Sequence, residues 1–501
     1  MRPIVPMRRA LADPNLFGNI LPGESWAPWR VLLIASQGER LTGAERAIFQ
    51  ELTGRNREPH ERVDELWCVI GRRGGKTRAV AVLAAYLAAL TDFSDILAPG
   101  EVASLPILSN TMDQAQKCLQ YLRGIFTTVS AFKRLVVNQT ADSITLSRRV
   151  TISVTPANFR SIRGGTAIAI IADEVATWRS ESLANPDVEV LAAARPSLAT
   201  TGGPLICISS PYARKGVLWE AYKKHHGPDG DSKIIVAQAP SKRMNSTLKD
   251  SWIKRQFDQD PFRAAAEYDA QFRSDLESYV SQEAVMACVS PDCFERPYIG
   301  NARYVAFVDA AGGSGQDAMT MAVAHMERET AVLDLLREVR PPFSPTAVVG
   351  QFVETLAAYK IKAVTGDRFA GEFAREQFKL RGIRYDVSER NKSEIYVELL
   401  PRINTGTIDL LDNARMIAQL CNLERRTGRG TGKDVIDHPR DQHDDVINAA
   451  AGALVLAAKK RAGFHPTQRM IEMASAPAPY RRRRLGDPVD DRPRRFGIPV
   501  V

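Results

Sequence analysis

The run Gly71-Arg72-Arg73-Gly74-Gly75-Lys76-Thr77 stands directly after the apolar stretch Leu66 to Ile70 and just before the helix-forming stretch Ala79 to Leu90. Strand, glycine loop, Lys-Thr and helix, in that order, build a cradle for a polyphosphate. Glycines let backbone N–H groups curl toward the anion at a helix N-terminus, Lys76 reaches the β/γ-phosphates, and the Thr77 hydroxyl ligates Mg²⁺. Gly71 lies one residue closer to Gly75 than the general GxxxxGK[ST] spacing has it, so the start of the loop departs from that pattern. Further along, the apolar run Ile168 to Ala172 ends in Asp173-Glu174. Acids at a strand's C-terminal edge sit beside the phosphate loop in a doubly wound sheet, where Asp173 would hold Mg²⁺ through water and Glu174 would polarise the attacking water. Leu205 to Ile208 runs into Ser209-Ser210-Pro211, putting small hydroxyls at another strand end to sense the γ-phosphate. Arg72 and Arg73 are placed to supply transition-state charge in cis. This set predicts ATP hydrolysis.

A second constellation is purely acidic. Tyr304 to Val308 is an apolar strand that ends in Asp309, Ala363 to Thr365 leads through Gly366 to Asp367, and His443-Asp444-Asp445 opens the apolar helix Val446 to Ala458. Carboxylates from two strand ends and one helix start can converge on two divalent metals about 3.5–4 Å apart, the arrangement that in-line phosphodiester hydrolysis needs. Spacing does not choose between Asp444 and Asp445. Asp317 reads as a turn residue, and His443 as a group that orients a carboxylate.

The elements that must position these residues alternate. Leu66 to Ile70, Leu105 to Leu108, Ala167 to Ala172 and Pro204 to Ser209 are short apolar runs bounded by Gly, Asp, Ser or Asn, with helical stretches between several of them. That is the pattern of buried parallel strands in an α/β sheet. Tyr304 to Val308, Met319 to Ala324 and Ala331 to Leu335 form a meander, followed by a helix from Ser344-Pro345 to about Lys360 and the strand Ala363 to Thr365. The second half is therefore also α/β but starts antiparallel. Residues 241–300 lack strand signals and read as helix and connector.

With 501 residues the chain exceeds one ordinary core, at roughly 150 residues per domain. A 44% apolar and 25% charged composition excludes a disordered, collagen-like or membrane-embedded protein. No apolar run reaches the roughly 18 residues of a membrane span, and no apolar stretch of signal-peptide type follows Arg8-Arg9, which predicts a protein that is not secreted. Six scattered cysteines include no CxxC pair and predict reduced thiols. Of the net charge of +9, most sits in residues 459–501, where eleven basic residues face four acidic ones; this tail is expected to be flexible.

The ordered set GRRGGKT, IAIIADE, ISSP, FVDAAGG, VTGDR and HDDVINA, spanning residues 71–450, resembles the large terminase subunit of tailed bacteriophages or of a related prophage or gene-transfer particle. Arg-rich, shortened phosphate loops recur in that family. The resemblance implies an N-terminal RecA-like P-loop ATPase of the additional-strand type over 1–270, a connector over 271–300, a ribonuclease-H-like nuclease over 301–458 and the basic tail 459–501. Carried over by position, Gly71, Arg72, Arg73, Gly74, Gly75, Lys76, Thr77, Asp173, Ser209 and Ser210 would bind ATP and its Mg²⁺. Arg72 would be the in-cis finger and Glu174 the catalytic acid. Asp309, Asp367 and one or both of Asp444 and Asp445 would hold two Mg²⁺ or Mn²⁺ for DNA cleavage. Implied partners are double-stranded DNA, the portal of a procapsid, a small terminase subunit and further copies of the chain in a ring on the portal, with a monomer in solution, in the cytoplasm of a bacterial host. Two rival readings are a DNA-stimulated, helicase-like ATPase with an inactive second half and a non-catalytic DNA or capsid adaptor. The first predicts turnover without cutting, the second nucleotide binding without turnover.

Overall fold

The apolar runs of the first half form one mixed sheet in a computed structural model that describes residues 2–157, 165–178, 180, 183, 185–313, 315–367, 371–427, 434–439 and 442–461. Its strands are β1 (Glu65–Ile70), β2 (Ala103–Ser109), β3 (Val136–Gln139), β4 (Ser143–Leu146), β5 (Val150–Pro156), β6 (Ile170–Asp173), β7 (Leu205–Ser209) and β8 (Ile234–Ala239), in the order β8-β1-β7-β6-β2-β5-β4-β3. The first six in that order pair in parallel, and β3 and β4 add an antiparallel hairpin at one edge. β7 therefore lies between the strand that feeds the glycine loop and the strand that ends in Asp173, which is the additional-strand arrangement. Parallel strands need crossovers, and helices supply them on both faces, burying one apolar cluster on each side. The helices used below are α1 (Ala27–Ser36), α2 (Gly43–Thr53), α3 (Lys76–Ala89), α4 (Met112–Thr128), α5 (Gly216–His225), α6 (Ser241–Met244) and α7 (Pro261–Asp269). α3 is apolar on every side and buried along almost its whole length, as a helix locked between sheet and outer helices must be.

Downstream lie β9 (Leu276–Ser278), β10 (Val305–Asp309), β11 (Met319–Glu327), β12 (Thr330–Val339), β13 (Ala363–Gly366), β14 (Arg384–Val387), β15 (Ile408–Asp409), β16 (Glu424–Thr427) and β17 (Asp434–Asp437), with α8 (Pro345–Ala358), α9 (Lys392–Asn404) and α10 (Asp445–Arg461). β10, β11 and β12 form the expected antiparallel meander. β13 and β14 then add in parallel on the other edge of β10, giving the order β14-β13-β10-β11-β12-β15 of a ribonuclease-H-like sheet. α10 crosses one face over β10 and β11, and α8 covers the other. Within α10 the close approach is made by Gly452, where an added Cβ would stand 2.4 Å from the Phe307 ring.

The connector contributes structure of its own. β9 pairs antiparallel with β16, which pairs with β17 in a small three-stranded sheet, and Tyr279, Val280, Val285 and Cys288 are buried in the same core as α10. The cysteines among the described residues are free thiols, as expected. No helix among the described residues is long and apolar enough to cross a membrane. The basic tail lies outside the described residues beyond Arg461.

Candidate active sites

The first site is built where β1 breaks into the glycine loop at the N-terminus of α3. Arg73 adopts a left-handed backbone (φ 63°), and so does Glu174 at the end of β6 (φ 50°). Such conformations in non-glycine residues cost of order 1–3 kcal/mol and cluster where geometry serves a site. Lys76 is 6% exposed and satisfied by protein groups. Its Nζ donates to the Ile70 carbonyl at 2.9 Å and to Ser210 Oγ at 2.8 Å, and stands 3.4 Å from Glu174 Oε1. Glu174 Oε2 lies 3.2 Å from Ser209 Oγ and accepts the Ser210 backbone N–H at 3.3 Å. Loop lysine, acidic strand end and hydroxyl strand end thus form one connected cluster across β1, β6 and β7. Asp173 is buried beside it. Desolvation, reinforced by the charge of Glu174, raises its carboxyl pKa to about 7. Thr77 occupies the first turn of α3, half-exposed. Arg72 is turned to α7, its guanidinium 3.4 Å from Glu267.

The second site is a cleft of about 920 Å³ at the C-terminal ends of β10 and β13 and the start of α10, and Asp309, Asp367, Asp444 and Asp445 all line it. Gly366 brings Asp367 close: a Cβ there would fall 1.9 Å from the Tyr385 hydroxyl and 2.8 Å from the Val308 carbonyl. Asp309 Oδ2 accepts the Asn448 amide at 2.8 Å. Burial, with Asp445, Asp444 and Asp367 adding repulsion, pushes Asp309 up to about 8. The two adjacent acids at the start of α10, Asp444 just ahead of it and Asp445 its first residue, diverge. Asp444 turns toward α9, taking the Tyr396 hydroxyl at 2.9 Å and Lys392 Nζ at 3.1 Å. Asp445 turns toward β11, accepting the Ala318 N–H at 2.8 Å, and its pKa is raised by burial. Each anchors a group whose carboxylate and imidazole ligand atoms lie within 4.8 Å of one another: Asp437, His438 and Asp444 on one side, Asp317, His443 and Asp445 on the other. His443 holds Asp317 at 2.9 Å, the carboxylate-orienting part expected of it, while Asp317 is drawn into the site rather than serving only as a turn residue.

Several residues here went unread in the sequence. Asn448 carried a signal, standing one helical turn beyond Asp444 and Asp445 on the same face of α10. Lys392 and Tyr396 are likewise one turn apart, but their helix had no visible tie to the acids. His438 lines the cleft and Asp437 holds Lys392 beside it through pairing of β16 with β17, which local spacing does not reveal.

The chain can be set beside known proteins on this geometry. No protein-family model and no curated protein matches it by sequence. Among solved structures it is similar to the HK97 bacteriophage large terminase, at 14% identity over 79% of this chain and 91% of that one, with a TM-score of 0.36. The neighbours are phage large terminases. A large terminase from a thermophilic bacteriophage in complex with ADP matches at 13% identity over 78% of this chain and 92% of that one, with a TM-score of 0.35. The nuclease of the large terminase from thermophilic phage G20c with bound magnesium matches at 16% identity over 35% of this chain and 96% of that one, with a TM-score of 0.30.

Proposed function

We propose that this chain is a large terminase, the motor and cutting subunit of a viral DNA-packaging machine. In this reading it hydrolyses ATP to drive double-stranded DNA into a procapsid and cuts concatemeric DNA by two-metal endonuclease chemistry. The observation that carries the proposal is that a single chain holds two separate engines. A phosphate loop is wired to an acidic strand end in one sheet, and four aspartates converge in another.

In the first site, Gly71 to Thr77 receive the polyphosphate of ATP, with Thr77 and Asp173 holding its Mg²⁺. Lys76 now bridges Glu174 and Ser210. Phosphates that draw Lys76 into the cradle free Glu174 to orient and deprotonate the attacking water, and unload Ser209-Ser210, which passes the change onward. Arg72, released from Glu267, supplies positive charge in cis.

The donor set of the second site fits hard divalent cations, because its convergent ligands are mainly carboxylate oxygens and Asp309 is destabilised as an anion by burial and then by its acidic neighbours. Two Mg²⁺ or Mn²⁺ held by Asp309, Asp367, Asp444 and Asp445 supply the positive charge that phosphodiester hydrolysis needs. The chain's own contribution is orientation: Asn448 fixes Asp309, Tyr396 and Lys392 fix Asp444, and the Ala318 N–H fixes Asp445.

We assign the ATPase unit to 1–270, the connector to 271–300, the nuclease unit to 301–458 and the basic tail to 459–501. The partners are the portal of a procapsid, a small terminase subunit and other copies of the chain in a ring, in the cytoplasm of a bacterial host. Cleavage of supercoiled plasmid in Mg²⁺ or Mn²⁺, with ATP turnover scored on the same samples, tests the proposal. Asp309→Asn and Asp367→Asn each abolish cutting and keep turnover, whereas Lys76→Ala abolishes turnover and keeps cutting. DNA-stimulated turnover without cutting in either metal would instead mark a helicase-like ATPase, and nucleotide binding without turnover an adaptor.

A further inference from the structure

Three consecutive carbonyls of the phosphate loop are each held by a side chain from outside it. The Arg72 carbonyl accepts Ser241 Oγ at 2.6 Å, the Arg73 carbonyl accepts Asn245 Nδ2 at 2.9 Å, and the Gly74 carbonyl accepts Trp29 Nε1 at 2.7 Å. Trp29 belongs to α1, some 45 residues upstream, and is fully buried, as is Ser241 in α6. Asn245 follows α6 directly, and Lys76 Nζ holds the carbonyl of Ile70, the last residue of β1.

In a trans peptide the carbonyl of one residue and the N–H of the next point in opposite directions. Drawing the carbonyls of residues 72, 73 and 74 outward therefore turns the N–H groups of Arg73, Gly74 and Gly75 to the other side of the loop. The Gly74 N–H closes a turn on the Gly71 carbonyl at 3.1 Å, leaving those of Arg73 and Gly75 aimed by the brace. The left-handed backbone of Arg73 is strained, and carbonyl bonds on either side of it offset that strain.

We infer that Trp29, Ser241 and Asn245 are positioning residues of the nucleotide site, which hold the loop's N–H groups in phosphate-binding orientation before ATP arrives. The inference rests on the ATPase reading above. It also gives the helical segment ahead of β1 a task in nucleotide binding, through the indole of Trp29, which carries no phosphate-binding chemistry of its own.

The test uses the full-length protein with Trp29→Phe, which keeps an aromatic side chain and removes the donor, and Asn245→Ala, whose side chain lies near the surface. Steady-state ATP turnover gives KM and kcat, and inorganic triphosphate serves as a competitive inhibitor. Each variant raises the KM for ATP and the inhibition constant of triphosphate in parallel, by about tenfold, since one lost hydrogen bond to a preorganised loop is worth about one decade. Plasmid cleavage stays at the wild-type level. A merely structural role would lower the active fraction, and with it kcat, without moving KM or the triphosphate constant. Unchanged constants in both variants would overturn the inference and leave the ATPase reading intact; Asn245→Ala decides the matter if Trp29→Phe folds poorly. A wild-type protein that neither binds nor hydrolyses ATP would overturn both.

Discussion

Asp309 shows how a single residue ties the fold to conditions in solution. Its folded-state pKa of about 8 exceeds the roughly 3.8 of a free aspartate, so without metal the folded chain binds a proton that the unfolded chain releases. The associated stability is fully present below pH 4 and is lost as pH rises toward 8. Thermal melting in EDTA will show wild-type Tm falling between pH 5 and 8 more steeply than that of Asp309→Asn, which has no such proton to lose. Mn²⁺ will reverse the trend, because a cation replaces the proton. At the other site, Glu174→Gln is isosteric but a poor base. It will reduce ATP turnover by about 10²-fold or more with little change in nucleotide binding, read by single-turnover hydrolysis and equilibrium titration.

At the scale of elements, the nuclease cleft depends on how closely α10 lies on β10. Gly452 faces Phe307, two residues before Asp309 on its strand, and Asp445 and Asn448 ride on the same helix, with Asp444 immediately ahead of its first residue. Gly452→Ala will lift the helix, costing about 1–3 kcal/mol by urea denaturation, and will lower plasmid cutting while ATP turnover is unchanged. This helix and these strands were legible in the sequence because their apolar runs are long and end in charged or glycine residues. The acids at their ends, Asp309, Asp367 and the 444–445 pair, are all brought to one cleft. Less legible were β3, β4 and β5, where Val136 to Gln139 is largely exposed and mixes polar with apolar residues, so that pairing rather than pattern makes the hairpin. Nor was the brace on the phosphate loop readable, since Trp29, Ser241 and Asn245 have no spacing in common and meet only after the sheet has formed.

Over the whole molecule, a short path joins the two engines. Tyr212, two residues after Ser210, places its hydroxyl 3.0 Å from Glu424 Oε2, and Glu424 is only 1% exposed. Glu424 stands opposite Asp437 in the β16–β17 pair, Asp437 holds Lys392 at 2.6 Å, and Lys392 holds Asp444. Tyr212→Phe removes a hydrogen-bond donor from a buried carboxylate that keeps Arg426 Nη2 at 3.5 Å on the same oxygen and Lys215 Nζ at 3.9 Å on the other. Such a loss costs about 1–3 kcal/mol. Limited proteolysis will therefore cut the 271–300 connector faster in this variant than in the wild type, and an unchanged cleavage rate would show that the contact does not secure the two halves.

The pairing of β9 with β16 also decides how the chain can be divided by recombination or by a protein engineer. A fragment starting at residue 301 would lack β9 and leave Glu424 to Thr427 as a bare strand edge, with the pocket for Tyr279, Val280 and Val285 open. Open edges recruit strands from other molecules. The halves are not interchangeable cassettes joined by a tether, because one carries on its own leading segment the strand that finishes it. A graft that keeps residues 276–288 with the second half preserves a finished module, whereas one that parts them creates a sticky one.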